Sequence, residues 1–242
     1  SENILELASG AGNPCEEMAD SIQKKGRKVP RICMSDLYPN TGQYQRISQR
    51  FPGAITYTES SVNALKVTPD RNTGLLFCNA FHHFRADTSA KILENAAEHA
   101  GGILILEPHK RSVLFMLACV VNAFLVAFYP FFVRPFSLRK FLYTLLLPVV
   151  PFLIAFDGIV SVLRTQTGHE FSNMISDKMR ERFSWEYGTI RYFGIFEGQY
   201  LMGWRKTAAG ERKNKKVRIR HRADGKTMKT RRPVSLNNSL CH

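Results

Sequence analysis

The chain has 242 residues, 44% of them hydrophobic, which is enough for one α/β domain with an insertion. Its five scattered cysteines have no paired spacing, which excludes a disulfide framework and indicates free thiols in a reducing compartment. The net charge of +14 is concentrated in residues 205–232, where 13 Lys or Arg face two acids, so the remaining body is only weakly basic.

The first predicted strand runs into a turn that contains two glycines. Residues 4–7 form the strand, and Gly10 and Gly12 let the backbone bend sharply and a ligand approach without meeting a Cβ. Asn13 is expected to cap the following helix, which Pro14 opens. Such a turn is typical of a nucleotide-like ligand held at the carboxyl edge of a parallel sheet.

A carboxylate on this strand narrows the class of ligand. Glu6 lies on an otherwise apolar strand, where a buried charge needs a partner. A pyrophosphate would repel Glu6, whereas an ammonium group would be attracted to it, and Cys15 stands where the dinucleotide fingerprint has its third glycine. With Gly10 and Gly12, the stretch resembles motif I of the class I methyltransferases that use S-adenosylmethionine. The resemblance implies that the turn, including Ala8, packs against the methionine part of this cofactor and that Glu6 orders its amino end.

The second predicted strand, residues 31–35, ends at another acid. Asp36 lies about 20 residues past the glycine turn, where a ribose hydroxyl is bound in nucleotide-binding βαβ units. The resemblance implies that Asp36 holds both ribose hydroxyls and that Leu37 and Tyr38 flank the adenine.

A third strand is predicted over residues 54–58, and Asn63 and Ala64 follow it. The family often has Asp where Asn63 stands, where it binds the adenine amino group. An amide oxygen can accept the same hydrogen bond, so we assign Asn63 and Ala64 to the cofactor site.

The fourth predicted strand, residues 74–79, leads into a histidine pair. The run from Asn79 to Phe84 resembles motif IV of small-molecule methyltransferases, which lies beside the transferable methyl group. A hydroxyl or carbon-acid acceptor needs a base, and imidazole titrates near the working pH. We expect His83, or else His82, to be this base, although either ring could instead pack beside the strand. Asn79 is expected to support the turn, and Phe84 to line the acceptor pocket.

The last predicted strands complete the sheet. Residues 101–108 form a continuous apolar run, typical of a strand covered on both faces. Residues 183–188 and 199–204 resemble the closing antiparallel pair of the methyltransferase sheet. The resemblance implies an α/β fold with a seven-stranded Rossmann-like sheet, mostly parallel with an antiparallel last strand. The predicted domains are a core of residues 1–108 and 183–206, an apolar helical insertion of residues 109–182 after strand 5, and a basic tail of residues 207–242.

The insertion contains two apolar runs around a basic connector. Residues 112–133 carry no charge across 22 positions, and about 20 apolar residues suffice to cross a bilayer. Residues 141–156 form a shorter second run that contains two prolines. Three interpretations are open. The insertion is a hairpin embedded in one leaflet, a hairpin that spans the bilayer twice, or an apolar soluble lid over a hydrophobic substrate. The positive charges of the connector, residues 134–140, oppose the spanning form, and we favour the one-leaflet hairpin.

Each of these forms places an apolar element beside the methyl-transfer cleft. We therefore expect a lipophilic acceptor, either a small molecule or a lipid, taken from the cytoplasmic side of a membrane. Asp157 and Arg164 are seven residues apart, two helical turns on one face. They either line the acceptor pocket or join the insertion to the body.

The ends of the chain and the rival functions complete the predictions. Residues 207–242 lack apolar periodicity and are expected to be disordered, as a solvated appendage, an anionic-membrane contact or a nucleic-acid contact. No aromatic residue interleaves the basic run, so nucleic acid is the partner we expect least. The chain begins at Ser1, which suggests a truncated N-terminus. The histidines and cysteines do not have the spacing of metal ligands, so no metal site is expected. The sequence leaves the oligomeric state open. The rivals are a non-catalytic nucleotide-binding protein and a nicotinamide-dependent reductase.

Overall fold

A computed structural model describes residues 3–128, 138–192 and 194–206. The sheet has seven strands in the order β3-β2-β1-β4-β5-β7-β6. Strand β7 runs antiparallel to β5 and β6, and the other pairs are parallel. This topology confirms the predicted fold class. The strands are β1 (Asn3–Glu6), β2 (Arg31–Met34), β3 (Ile55–Tyr57), β4 (Thr73–Cys78), β5 (Gly102–Glu107), β6 (Phe183–Tyr192) and β7 (Phe196–Arg205).

Helices connect and cover these strands. Those that precede the insertion are α1 (Asn13–Lys24), α2 (Thr41–Arg50), a 3₁₀ turn (Phe81–His83) and α3 (Ala86–His99). Those that follow β5 are α4 (Val113–Ala127), α5 (Leu138–Phe141) with a π-helical turn (Leu142–Leu146), α6 (Val149–Arg164), α7 (Gly168–Met174) and α8 (Asp177–Arg182). The predicted tail, residues 207–242, and most of the predicted connector lie outside the described residues.

The prediction that Asn13 caps α1 is wrong by one residue. The cap is Gly12, which has φ 77° and makes no side-chain capping bond, while Asn13 opens the helix. A Cβ on Gly12 would lie 2.8 Å from Cδ1 of Ile47 on α2, and the positive φ would strain any L side chain there. Glycine adopts this left-handed conformation without steric cost, so α1 begins after a positive-φ residue and has no side-chain cap.

The sequence predicts a strand covered on both faces, and one face of β5 is packed more closely than the other. Ile103 and Ile105 are buried, whereas Leu104 and Leu106 are only half-buried. An apolar run predicts a strand but does not report how closely each face is packed. Both closing strands extend further than predicted, and they pair from Phe183 opposite Arg205 to Tyr192 opposite Phe196.

The core shows which part of the insertion belongs to the body. Phe171 and Ile175, from α7 and the turn after it, and Met179 from α8 are buried in the same cluster as Phe77 and Trp185. The end of the insertion thus packs on the sheet, and its exposed apolar part lies in α4 and α6.

Helices α4 and α6 pack against each other and expose apolar side chains. A Cβ on Gly158 of α6 would lie 2.8 Å from Sγ of Cys119 on α4, so the helices approach closely there. Apolar side chains exposed on these two helices include Leu117, Val121, Phe124, Phe152 and Phe156. Among the described residues, no single helix has both the length and the hydropathy needed to cross a bilayer. Of these residues, only α6 and α7 taken together are long and apolar enough, and the two helices are bent by 54°.

Candidate functional site

Four parallel strands bring the predicted site residues to one edge of the sheet. Strands β1, β2, β4 and β5 all end at this carboxyl edge, because they are parallel neighbours. Glu6 ends β1, Asp36 follows β2, His82 follows β4, and Glu107 ends β5. The order of the strands therefore makes the glycine turn and the histidine pair close neighbours.

The Glu6 side chain is buried beneath the glycine turn, as the sequence predicts. It is 1% exposed, and its Oε2 accepts a hydrogen bond from Ser9 Oγ at 2.9 Å. The thiols of Cys15 and Cys78 also bond to this carboxyl. Burial raises the pKa of Glu6 to about 7, and the three hydrogen bonds only partly oppose that rise. An ammonium group near the turn would favour the ionised form.

The glycine turn holds a backbone conformation that L side chains rarely adopt. Gly10 has φ 54°, and Ala8, although it carries a Cβ, has φ 55°. A Cβ built on Gly10 would meet no atom within 4 Å, so open space faces the backbone there. The hydroxyl of Tyr44 donates to the Gly10 carbonyl oxygen at 2.9 Å and fixes the turn against α2. This combination of strain and open space is typical of a site where a ligand approaches the main chain.

Asp36 is tied to the turn rather than projecting freely. Its Oδ2 accepts the Gly10 N–H at 2.8 Å, and its Oδ1 accepts the Tyr38 N–H at 2.8 Å. Each carboxylate oxygen keeps a further acceptor position, which a ribose hydroxyl could use. The role of Asp36 at the ribose stays a prediction, and the structure adds that Asp36 also organises the turn.

The predicted adenine-binding residues form the outer part of this edge. Leu37 and Tyr38 are 44% and 82% exposed. Asn63 Oδ1 accepts the Leu65 N–H at 2.9 Å, so this oxygen already shapes its own turn, and Ala64 beside it is buried. The assignment of Asn63 to the adenine stays a prediction.

Asn79 stands at the end of β4 in a left-handed conformation. Its φ is 52°, and its N–H donates to the Leu106 carbonyl oxygen at 2.8 Å. Asparagine tolerates this conformation better than most residues. These bonds are consistent with the supporting role that the sequence analysis gave to Asn79.

His82 is buried and paired with an acid that sequence reasoning did not assign to the site. Its Nδ1 lies 2.9 Å from Glu107 Oε2, and its backbone N–H donates to Glu107 Oε1 at 3.1 Å. The two side chains are 3% and 0% exposed. Glu107 thus fixes both the 3₁₀ turn and the orientation of the His82 ring. The sequence marks Glu107 in the same way as Glu6, because each is an acid at the end of an apolar strand.

His83 is the more accessible of the two rings. Its ring centroid lies 4.2 Å from that of His82, and the two ring planes are tilted by 43°. Burial is the main cause that lowers the pKa of His83, with the neighbouring His82 next, so its ring is neutral at pH 7. Asp157 and Arg164 act on its pKa in opposite directions, which places both charges near the ring. A neutral imidazole can accept a proton, as the predicted base must.

A cleft of about 670 Å³ opens beside these rings. His82, His83 and Phe84 line it, together with Arg164 at the end of α6 and Gln166 just after it. The structure therefore brings together the predicted base, Phe84 and Arg164. Asp157 lies near His83 but is not among the cleft-lining residues. The volume is in the range of small-molecule sites.

A third histidine, His109, lies next to His82. The ring of His109 is 5.1 Å from that of His82, and its Nε2 has no hydrogen-bond partner among the described residues. Ligand atoms of His82, Glu107 and His109 lie within 4.8 Å of one another, a grouping that the linear spacing did not reveal. Glu107 is already hydrogen-bonded to His82 here, and the prediction of no metal site stays a prediction.

Comparisons with known proteins give matches among solved structures and none among sequences. Neither a protein-family model nor a curated protein matches the chain. Magnesium protoporphyrin IX methyltransferase from Synechocystis PCC 6803, with bound SAH, aligns with a TM-score of 0.47 and 8% identity over 84% of this chain and 74% of that chain. The mitomycin 7-O-methyltransferase MmcR aligns with a TM-score of 0.48 and 13% identity, over 84% and 49%. LepI in complex with SAM aligns with a TM-score of 0.46 and 11% identity, over 84% and 42%.

This chain therefore spans about half the length of MmcR and less than half the length of LepI. The fold assignment itself depends on the order and direction of the seven strands.

Proposed function

We propose that the protein is an S-adenosylmethionine-dependent methyltransferase that acts on a lipophilic small molecule or lipid at the cytoplasmic surface of a membrane. The observation that carries this proposal is the buried Glu6 carboxyl beneath a strained glycine turn to which Asp36 is hydrogen-bonded. Two acids around one open turn suit a ligand with a cationic end and a ribose, and they do not suit a pyrophosphate.

The residues at the turn fit S-adenosylmethionine on chemical grounds. The space in front of Gly10 leaves the backbone accessible, and the remaining acceptor positions of Asp36 suit hydroxyl donors. The Glu6 carboxyl is buried and accepts the Ser9 hydroxyl, and its negative charge favours an ammonium group at the turn. Bound S-adenosylmethionine supplies an electrophilic methyl group, and the protein supplies orientation and electrostatics.

The chain's own contribution to the reaction is to hold the acceptor and to remove its proton. His83 borders the cleft with a lowered pKa and takes the proton of a hydroxyl or carbon acid at a ring nitrogen. His82 is oriented by Glu107 and packs against His83, so it positions that ring. An acceptor that is already an anion at its reacting atom needs no such base.

The apolar faces of α4 and α6 support the choice of acceptor and of location. Large side chains such as Leu117, Phe124 and Phe156 are more than half exposed, and α6 ends at Arg164, which lines the cleft. An exposed apolar surface of this kind is typical of a membrane or lipid contact. We therefore favour the one-leaflet arrangement of the insertion, with the cleft open towards the lipid.

Methyl transfer to a lipid extract tests this function. The full-length protein is incubated with methyl-labelled S-adenosylmethionine and a detergent-dispersed bacterial membrane extract, and label is counted in the organic and aqueous phases. We expect label in the organic phase and at least a hundredfold less with His83→Ala. Label confined to polar acceptors would contradict the lipophilic acceptor. Binding of the cofactor without transfer to any acceptor would favour the non-catalytic binder.

A further inference from the structure

The cleft beside His83 has a charge pattern that the methyl-transfer chemistry does not require. Arg85, Arg111 and Arg164 line it, with Glu170 as the single lining carboxylate, so its charged side chains sum to +2. Its remaining lining includes the apolar side chain of Met174. The turn proposed for the methyl donor is formed by Glu6 and Asp36, which do not line this cleft, so the three arginines point to the acceptor.

The pairing of these arginines identifies which one is available. Arg111 makes two hydrogen bonds of 3.2 Å to Glu170, and Glu170 also accepts the Thr167 N–H at 2.6 Å. Arg85 lies 3.8 Å from Asp87, and both side chains are largely exposed. Arg164 makes no ion pair with any carboxylate in the part of the chain that the structure describes. Of the two cleft arginines without a close ion pair among the described residues, Arg85 and Arg164, Arg164 is the one on the apolar helix α6.

Arg164 also stands where a polar and an apolar surface meet. It is the last residue of α6, and Leu163 next to it is 50% exposed on the apolar helix pair. On its other side the cleft leads to His83, on which the Arg164 charge acts. Asp157 acts on His83 in the opposite sense without lining the cleft. A guanidinium at such a boundary matches the planar oxygens of a carboxylate or phosphate.

We propose that the cleft binds an amphiphilic acceptor that carries an oxyanion, either a carboxylate or a phosphate, with Arg164 binding the oxyanion and the apolar body lying towards α6. This inference rests on the proposed function, and it makes the substrate class more specific. The oxyanion is a recognition group, separate from the atom that takes the methyl group beside His83.

Four probes with the same eight-carbon chain test the proposal. Octanoate, octyl phosphate, octanol and octyltrimethylammonium are titrated into the SAH-saturated full-length protein by calorimetry, below their micelle concentrations. We expect at least one of the two anions to bind about tenfold tighter than octanol or better, and the cation to bind weakest. Comparison of octanoate with octyl phosphate distinguishes a carboxylate from a phosphate acceptor.

Two variants and a matched control locate the effect. Arg164→Gln should remove the preference for the anion without changing octanol affinity, and Arg164→Lys should keep part of it. Arg27→Gln removes the same charge from an exposed loop after α1 and should change nothing. Equal affinity for octanol and both anions, or an unchanged preference in Arg164→Gln, would overturn the proposal. The SAH titration itself reports the proposed function, since anion preference without SAH binding would remove that function and leave the oxyanion subsite.

Discussion

The buried Glu6 carboxyl should make the stability of the protein depend on pH in a defined window. Its pKa is about 7 in the folded chain against an ordinary value of 4.5. Below pH 4.5 the carboxyl is protonated in both states and costs nothing. As the pH rises, the unfolded state ionises first, so stability falls until the folded carboxyl also ionises near pH 7. At 1.36 kcal/mol per pKa unit, the full loss is about 3 kcal/mol.

Glu6→Gln removes this titration and keeps a side-chain oxygen for the Ser9 hydroxyl. Urea unfolding of both proteins is measured from pH 5 to pH 8, without added nucleoside. Relative to Glu6→Gln, the parent protein should lose about 2.5 kcal/mol across that range. Glu17→Gln, which changes an exposed acid on α1, is the control and should run parallel to the parent. A constant difference between the parent and Glu6→Gln would refute the raised pKa.

Three further variants and one pH profile test separate parts of the structure. Ala8→Gly should raise the free energy of unfolding by about 1 kcal/mol, because Ala8 has φ 55°; a lower urea midpoint would contradict the strained turn. Glu107→Gln should cost about 1–3 kcal/mol in the same assay, because it weakens a buried hydrogen-bonded pair; no change would argue against that pair. In the parent enzyme, kcat should fall on the acid side with a midpoint below 6.5, the ordinary pKa of the His83 ring, and a midpoint above this value would exclude His83 as the base. Phe124→Asp should reduce cosedimentation with anionic lipid vesicles, whereas Ile195→Asp, on an exposed turn, should not; equal binding of both would place the lipid contact elsewhere.

The sheet was predictable because its strands carry local signals. Short apolar runs bounded by glycines or polar residues gave five parallel strands, and the acid at Glu6 marked the strand that ends at the cofactor turn. The strand order came from the resemblance, because pairing between distant strands leaves no local mark in one sequence. Glu6 could be recognised as buried because a carboxylate between apolar residues of a core strand shares their burial and then needs a polar partner.

The parts that could not be predicted depend on contacts between distant residues. Gly12 caps α1 and lies against Ile47 of α2, and no local pattern reports that contact. The bond between His82 and Glu107 joins residues 25 positions apart, so the histidine pair alone could not show which ring is fixed. The second role of Asp36, as acceptor of the Gly10 N–H, likewise needed the fold.

Calorimetric titration of the full-length protein with SAH, and with NADH in parallel, tests the nucleoside site most directly. The account predicts saturable one-site binding of SAH, weaker binding by both Glu6→Gln and Asp36→Asn, and no comparable heat from NADH. Tight binding of NADH with none of SAH would contradict it. So would SAH affinity that both variants retain in full while still folded.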